Sequence, residues 1–364
     1  MMYRRRLEKA DGRALLLYAR APLTGPMEAP SSGPASAARA HLRWHPLRGE
    51  WVAYAGDRQT RTFMPGPERD PLAPSSDPAR PSEVPAGPWE VAVFENRFPT
   101  LAADAPAPPP SLVDTRAARG ACEVVVFTQE ATGSLGALPL ARLELLVDVW
   151  ADRTRELGAR DDVAHVLPFE NRGVEVGVTL PHPHGQIYAY PFVPPVAARE
   201  LAAQRAHYEA HGRGLLDSLL AAELADGRRV LHVADEAVAV APVCARFPYE
   251  VWVAPRRPVA RVPDLRESER RDFARVLKTV LLKLDALWDR PMPYVLALHQ
   301  APTDGAPHPE AHLRAEICPF ARMPDRLKYL AGSELAAGVF IVDVTPEQAA
   351  AELGAVRVEL EAAA

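Results

Sequence analysis

Apolar and polar residues alternate through "EWVAYA" (50–55) and "WEVAVFEN" (89–96), the period of strands with one face buried. "CEVVVFT" (122–128) is a third strand. The period changes in "LPLARLELLVDVWADRTRELGA" (138–159), where Leu143, Leu146, Val147 and Trp150 fall at i, i+3, i+4 and i+7. Those four share one face, which predicts an amphipathic helix. Strands "HVLPFEN" and "GQIYAYPF" follow, and the second half repeats this order more loosely. A helical stretch over 194–225 leads to hairpin-like strands at 228–242 and a strand at 249–255. A long amphipathic helix over 265–288 then precedes "PYVLALHQAP" and "AHLRAEICPF". Each half reads strands, long helix, strands with histidine, so the expected fold is α+β, with two related units sharing a continuous, largely antiparallel sheet flanked by helices. The expected divisions are 1–40 (an N-terminal flap and mobile loop), 41–193 and 194–364.

Proline punctuates the first third. The stretches 21–36, 63–88 and 103–110 read as loops, and 63–88 can be neither helix nor central strand, so it must wrap the surface. A chain of 364 residues with 48% hydrophobic and 24% charged content is an ordinary globular protein able to bury a sizeable core. The net charge of −5 leaves no footprint for nucleic acid or an anionic membrane. No apolar run approaches the roughly 18 residues of a membrane-spanning helix. Asp11 and Arg13 break what would be an export signal ahead of "ALLLYA". Three cysteines, Cys122, Cys244 and Cys318, lie far apart; they form no disulfide framework, point to a reducing cytoplasm, and read as small buried hydrophobes.

The densest chemistry lies in "LPHPHGQIYAYPFV" (180–193). Residues alternating on a strand share a face, so His182, His184 and Gln186 are expected to point into one cleft, with Pro183 opposite and Gly185 allowing close approach. Two imidazoles and an amide suit phosphate chemistry. A neutral imidazole attacks phosphorus to give a covalent phosphoramidate, and an amide donates to a non-bridging oxygen. Shared zinc ligation and satisfied polar residues on a solvated strand are the competing readings.

"LPHPHGQIYAYPF" closely resembles the active-site segment of galactose-1-phosphate uridylyltransferases, in the histidine-triad superfamily. The resemblance runs from about residue 43 to about 350. It implies two histidine-triad-like units forming a half-barrel, and it assigns roles. "RWHPLRGEWVAYAGDRQTR" is similar to the family's opening and supplies Arg58 and Arg61 to the hexose phosphate. "VFENRFP" resembles the uridine-contacting strand, with Phe94 and Asn96, and "PFENRG" supplies Asn171. Thr179 stands where the family often has a phosphate-contacting serine. "KYLAGSE" resembles the hexose-binding segment given across a dimer interface and supplies Lys328, Gly332 and Glu334. By this resemblance His184 is the nucleophile that takes UMP from UDP-glucose, and galactose 1-phosphate then discharges it in a ping-pong scheme. Gln186 holds the α-phosphoryl oxygens; related hydrolases carry a third histidine there, so glutamine favours transfer. A cytoplasmic homodimer is the implied setting, with UDP-glucose or UDP-galactose and a hexose 1-phosphate as partners.

The resemblance breaks at two metal sites. Members often hold a structural zinc through a CxxC pair, a later histidine and the first histidine of HPH. Here Asp70 and Ala73 occupy the cysteine positions and Ala131 the histidine position, so the zinc site is expected to be lost and His182 to orient or pack. At a second site, often iron, Glu200 and His299 match, but the last pair reads Arg314 and Glu316. Arginine cannot ligate, so Arg314 is expected to pair with Glu200 or Glu316 in place of an ion. The alternative is a divalent ion kept by Glu200, His299 and Glu316, with His308 and His312 nearby. His308 reads as an exposed loop residue, His207 and His211 as an exposed helical pair, and His41, His165 and His232 as surface or satisfied core residues. Two other functions share the fold: a phosphorylase or adenylyltransferase using an ADP-sugar or dinucleoside polyphosphate, and a catalytically idle nucleotide-sugar binder. The intact HPHGQ and both arginines favour the uridylyltransferase.

Overall fold

The chain opens with β1 (Tyr3–Glu8) and β2 (Ala14–Ala19), an antiparallel hairpin. Next come β3 (His41–His45), β4 (Glu50–Tyr54), β5 (Val91–Glu95), β6 (Thr115–Ala117) and β7 (Ala121–Val126). Helix α1 (Leu140–Gly158) precedes β8 (His165–Arg172) and β9 (His184–Tyr190). The second half supplies α2 (Pro195–His211), α3 (Leu215–Asp226), β10 (Val230–Val233), β11 (Ala237–Val240) and β12 (Val251–Pro255). It ends with α4 (Glu267–Ala286), β13 (Tyr294–His299), β14 (Arg314–Pro319) and α5 (Pro346–Ala355). This computed structural model describes residues 1–30, 40–56, 66, 69–77 and 82–361.

Among the described residues, eleven strands form one open antiparallel sheet in the order β1-β2-β5-β7-β9-β8-β13-β14-β12-β11-β10, and β4-β3-β6 form a small second sheet. At the centre β8 pairs with β13, Phe169 opposite Ala297. Outward from that junction, β8-β9-β7-β5 in one half and β13-β14-β12-β11 in the other follow the same chain order, each half with its long helix before the central pair. The halves are thus related by an approximate two-fold axis through the junction. Counterparts follow from the registers. Gln186 pairs Phe169 and Glu316 pairs Ala297, so Gln186 answers to Glu316, His184 to Arg314 and His182 to His312.

Helices α1 and α4 lie on one face of the sheet. The stripe of Leu143, Leu146, Val147 and Trp150 is buried there beside Phe273, Val276, Leu277 and Val280 of α4. The opposite face carries a second core of Leu15, Leu17, Leu72, Val84, Phe94 and Val124. Strands covered on both sides need no polar alternation, which explains the consecutive buried residues Val124, Val125 and Val126 in β7.

The same rule corrects the expectation of a flap over 1–40. "ALLLYA" is β2, an inner strand with Leu16 and Tyr18 in one core and Leu15 and Leu17 in the other. Residues 31–39 of the expected mobile loop lie outside the described residues. The proline-rich 63–88 is not purely a surface wrap, because Leu72 and Val84 enter the second core. The helical stretch 194–225 is two helices, since Gly212 ends α2 at φ +66, a left-handed conformation open to glycine.

Helix α1 is tied to β7 by a buried bidentate pair: Arg153 donates from Nε and Nη2 to Glu123 at 2.9 and 2.7 Å. Removing one partner strands the other charge in the core. Arg153→Leu is therefore expected to lose about 3–5 kcal/mol of unfolding free energy in urea titrations, and Arg153→Leu/Glu123→Leu to recover much of it. Equal losses in the single and double variants would contradict this.

Candidate active site

Strand β9 starts at His184, paired with Val126 of β7. His184 and Gln186 therefore share a face, whereas His182 lies ahead of the strand, which corrects the expectation that all three alternate along it. The His182 ring is buried and fully engaged. Its Nδ1 is 2.6 Å from Asp70 Oδ2 and its Nε2 2.9 Å from the Thr128 carbonyl oxygen. Both ring nitrogens face oxygen acceptors, so no lone pair is left over for a metal.

The main chain of His182 positions the next histidine. Its carbonyl accepts from His184 Nδ1–H at 2.7 Å, which assigns the tautomer and leaves the Nε2 lone pair free. Burial holds the His184 pKa below the ordinary imidazole value; the positive field of His182 adds to this and the backbone hydrogen bond opposes it. Gly185 makes the fit possible, because a Cβ there would stand 2.7 Å from the Phe127 ring and 2.8 Å from the Phe169 carbonyl.

His184 separates two cavities. The smaller, about 120 Å³, is lined by Phe94, Asn96, Thr179 and Gln186 together with Glu83 and Leu72. Phe94, Val124 and Gln186 are successive cross-strand neighbours, so the aromatic ring and the amide sit two strand spacings apart, roughly 10 Å. The Gln186 Oε1 is buried with no hydrogen-bond partner among the described residues, as expected of a group that meets a ligand. The larger cavity, about 390 Å³, contains Asn171 and His182 together with Arg172 and Arg290. Arg172 is anchored on Asp285 at 2.5 Å. Glu170 also lines this cavity; burial raises its pKa to about 7, although Tyr294 donates to it at 2.8 Å.

Phe94, Asn96, Asn171, Thr179, His182, His184 and Gln186 thus come together around one point. Arg58 and Arg61 lie outside the described residues. Lys328 and Glu334 pair with each other at 2.6 Å, and neither they nor Gly332 line the two cavities of His184. Sequence reasoning missed Asp70 as a partner of His182, Glu83 as a wall residue, and Arg172 and Arg290. Arg172 had a signal, since it directly follows Asn171 in "FENR".

At the counterpart place in the second half, Arg314 Nη2 lies 2.7 Å from both Glu200 Oε1 and Glu316 Oε2. Arg314 Nη1 and His299 Nδ1 each stand 3.2 Å from Glu200 Oε2, and Arg246 takes Glu316 Oε1 at 2.6 Å. Burial alone would raise the two carboxyl pKa values; His299 and Arg314 hold Glu200 far below its ordinary range, and with Arg246 they hold Glu316 low as well. Donor atoms of Glu200, His299 and Glu316 cluster within 4.8 Å, but the guanidinium fills their centre.

Three smaller expectations change. His308 is buried between Asp304 and Glu310 rather than exposed, because the loop folds its ring inward onto two carboxylates. Cys244 is exposed, while Cys122 and Cys318 are buried. His165 is buried, its Nδ1 has no partner among the described residues, and burial lowers its pKa to about 4.

The model of the N-terminal domain of galactose-1-phosphate uridyl transferase matches residues 34–194, and that of the C-terminal domain matches residues 200–363. Over 327 residues the chain is 37% identical to a galactose-1-phosphate uridylyltransferase of Thermotoga maritima, covering 88% of this chain and 99% of that one. A Streptomyces lividans protein of the same name is 40% identical over 265 residues, 72% of this chain and 70% of that one. A solved uridylyltransferase structure superposes with a TM-score of 0.79 at 33% identity, covering 86% of this chain and 98% of that one.

The lowered pKa of His184 has a direct readout. In NMR titrations its ring protons are expected to shift with a midpoint below 6.5, the ordinary value, so that the ring is neutral at pH 7. A midpoint at or above 6.5 would show that burial does not control this ring.

Proposed function

The chain belongs to the galactose-1-phosphate uridylyltransferase family, and from that premise we propose that it transfers UMP through His184. The enzyme is a nucleotidyltransferase, a UDP-glucose—hexose-1-phosphate uridylyltransferase. His184 Nε2 attacks the α-phosphorus of UDP-glucose; the P–N bond forms as the P–O bond to glucose 1-phosphate breaks. A phosphate oxygen of galactose 1-phosphate then attacks the same phosphorus, and the P–N bond breaks to return the lone pair to Nε2. The observation that carries this reading is the aim of His184: Nδ1 is committed to a carbonyl, and the ring stands between two cavities beside Gln186, whose Oε1 has no partner among the described residues. The smaller cavity, with Phe94 and Asn96, suits the nucleoside, and Gln186 with Thr179 suits the α-phosphate. Asn171, Arg172 and Arg290 suit the sugar-phosphate side. Asp70 is a positioning residue that acts through His182 on the carbonyl that orients His184.

A homodimer belongs to this reading, with Lys328, Gly332 and Glu334 completing the partner's hexose site. The exposed apolar side chains of Tyr329, Leu335, Val339 and Ile341 around that segment support it. A cytoplasmic setting also belongs to this reading, in keeping with three free cysteines.

Neither family metal fits these residues. At the zinc position, Ala73 and Ala131 offer no donor and both nitrogens of His182 are taken. At the second, an ion would need oxygens at about 2.0–2.2 Å where Arg314 Nη2 already sits 2.7 Å from both carboxylates. Ion pairs replace the metals as ties between segments.

Incubation with UDP-glucose is expected to add one UMP per chain by intact mass, absent in His184→Asn and discharged by galactose 1-phosphate; native mass spectrometry of the same sample is expected to show a dimer. No adduct and no released glucose 1-phosphate would overturn the transfer reading. For the metals, protein from iron- and zinc-replete cells is expected to hold far less than one equivalent of either and to keep its Tm in EDTA. Arg314→His is expected to gain about one equivalent of zinc and an EDTA-sensitive Tm. One tightly held equivalent in the wild type, lost together with stability in EDTA, would refute the replacement.

A further inference from the structure

The β1–β2 hairpin precedes residue 34, where the family match begins, yet it reaches the back of the smaller cavity. Its turn closes as Lys9 N–H donates to the Arg13 carbonyl and Gly12 N–H to the Lys9 carbonyl, both at 2.9 Å, with Gly12 at φ +83. That closure sends Lys9 inward, 3% exposed, with its ammonium 4.3 Å from the centroid of the Phe94 ring. The same ammonium ion-pairs with Glu83 Oε2, which also lies 3.2 Å from Arg13 Nη1. Arg13 is itself anchored on the Glu95 carbonyl at 3.0 Å and on Asp11 at 2.7 Å. Phe94 and Glu83 line the cavity with His184 and Gln186, whereas Lys9 and Arg13 stand behind them.

The pairing is one-sided. Both cations take Oε2 of Glu83, and among the described residues no donor reaches Oε1. A wall carboxylate with an uncommitted oxygen is an acceptor waiting for a ring N–H. Uracil presents such a donor at N3; cytosine and adenine place a lone pair on the corresponding ring nitrogen. A buried acceptor that meets a lone pair discriminates strongly, because neither group is then satisfied. An ammonium held over a ring in a dry setting also restrains that ring more than an apolar neighbour does.

We infer that the Lys9–Glu83 pair makes the nucleoside cavity selective for uracil: Glu83 accepts from N3–H, and Lys9 is the positioning residue that sets both Glu83 and the Phe94 ring. This rests on the reading of the smaller cavity as the nucleoside site. It gives the N-terminal hairpin a role in binding as well as in the sheet.

Binding of UMP, CMP and AMP to the full-length enzyme tests it, with unfolding midpoints recorded for every variant. Glu83→Gln keeps the shape and adds a donor, so its preference for UMP over CMP is expected to narrow by about tenfold or more. Lys9→Met is expected to weaken UMP by about tenfold and to raise KM for UDP-glucose while kcat changes much less; Lys9→Arg recovers most of the loss. Unchanged UMP and CMP affinities in folded Glu83→Gln, or a lower Tm alone in the Lys9 variants, would reduce the pair to a structural tie and overturn the inference. If Lys9→Met does not fold, Glu83→Gln and Lys9→Arg decide it. Failure of the wild type to bind UMP at all would instead overturn the assignment of the cavity.

Discussion

Strand β9 is held between β7 and β8 with Gln186 opposite Val124 on one side and Phe169 on the other, and a slip of one residue would turn His184 from the cleft into the helix-side core. The packing on both faces forbids that slip. Ile187 and Ala189 are buried against α1 on one face, while Gly185 passes so close to Phe127 and Phe169 that a larger residue in the ladder would clash. The direction of the His184 ring is therefore a property of the sheet. Its tautomer comes from one backbone carbonyl, and its neutral state comes from burial.

Charge does the work of cross-linking in this molecule. Glu123 and Arg153 join β7 to α1, Asp70 and His182 join a proline-rich loop to the start of β9, and Arg314 with Glu200 joins β14 to α2. Buried pairs of this kind add little net stability compared with apolar packing, but losing one partner is severe, so they specify which segments meet. Two of the three stand at positions for which the sequence resemblance implied a metal. A salt bridge needs no ion from the medium.

The two halves show how one scaffold serves opposite ends. In the first, "HPHGQ" presents a free imidazole nitrogen and an amide oxygen without a partner among the described residues. In the second, at the counterpart "HLRAE", the guanidinium at the position answering to His184 pairs with Glu200 and Glu316. The registers correspond, so side-chain chemistry is what separates the two strands.

The periodicity of 138–159 and 265–288, the paired order of strands and helices, and the open antiparallel sheet were legible in the sequence because amphipathic spacing is local. The motif around His184 and Gln186 was legible too, since a strand period brings those two residues to one face without knowledge of any other segment. What local patterns could not reveal were elements covered on both faces and partners far apart in the chain. β2 has no alternation because both its faces are buried, and Asp70 looked like a lost ligand until folding carried it 2.6 Å from His182, 112 residues away. His308 looked like a loop residue until two carboxylates enclosed it. The sequence by itself determined which residues have the chemistry to hold and attack a phosphate. Only the tertiary structure decided which nitrogen is free, which charges pair and which residues share a cavity with His184, because those depend on distances between segments that no local spacing encodes.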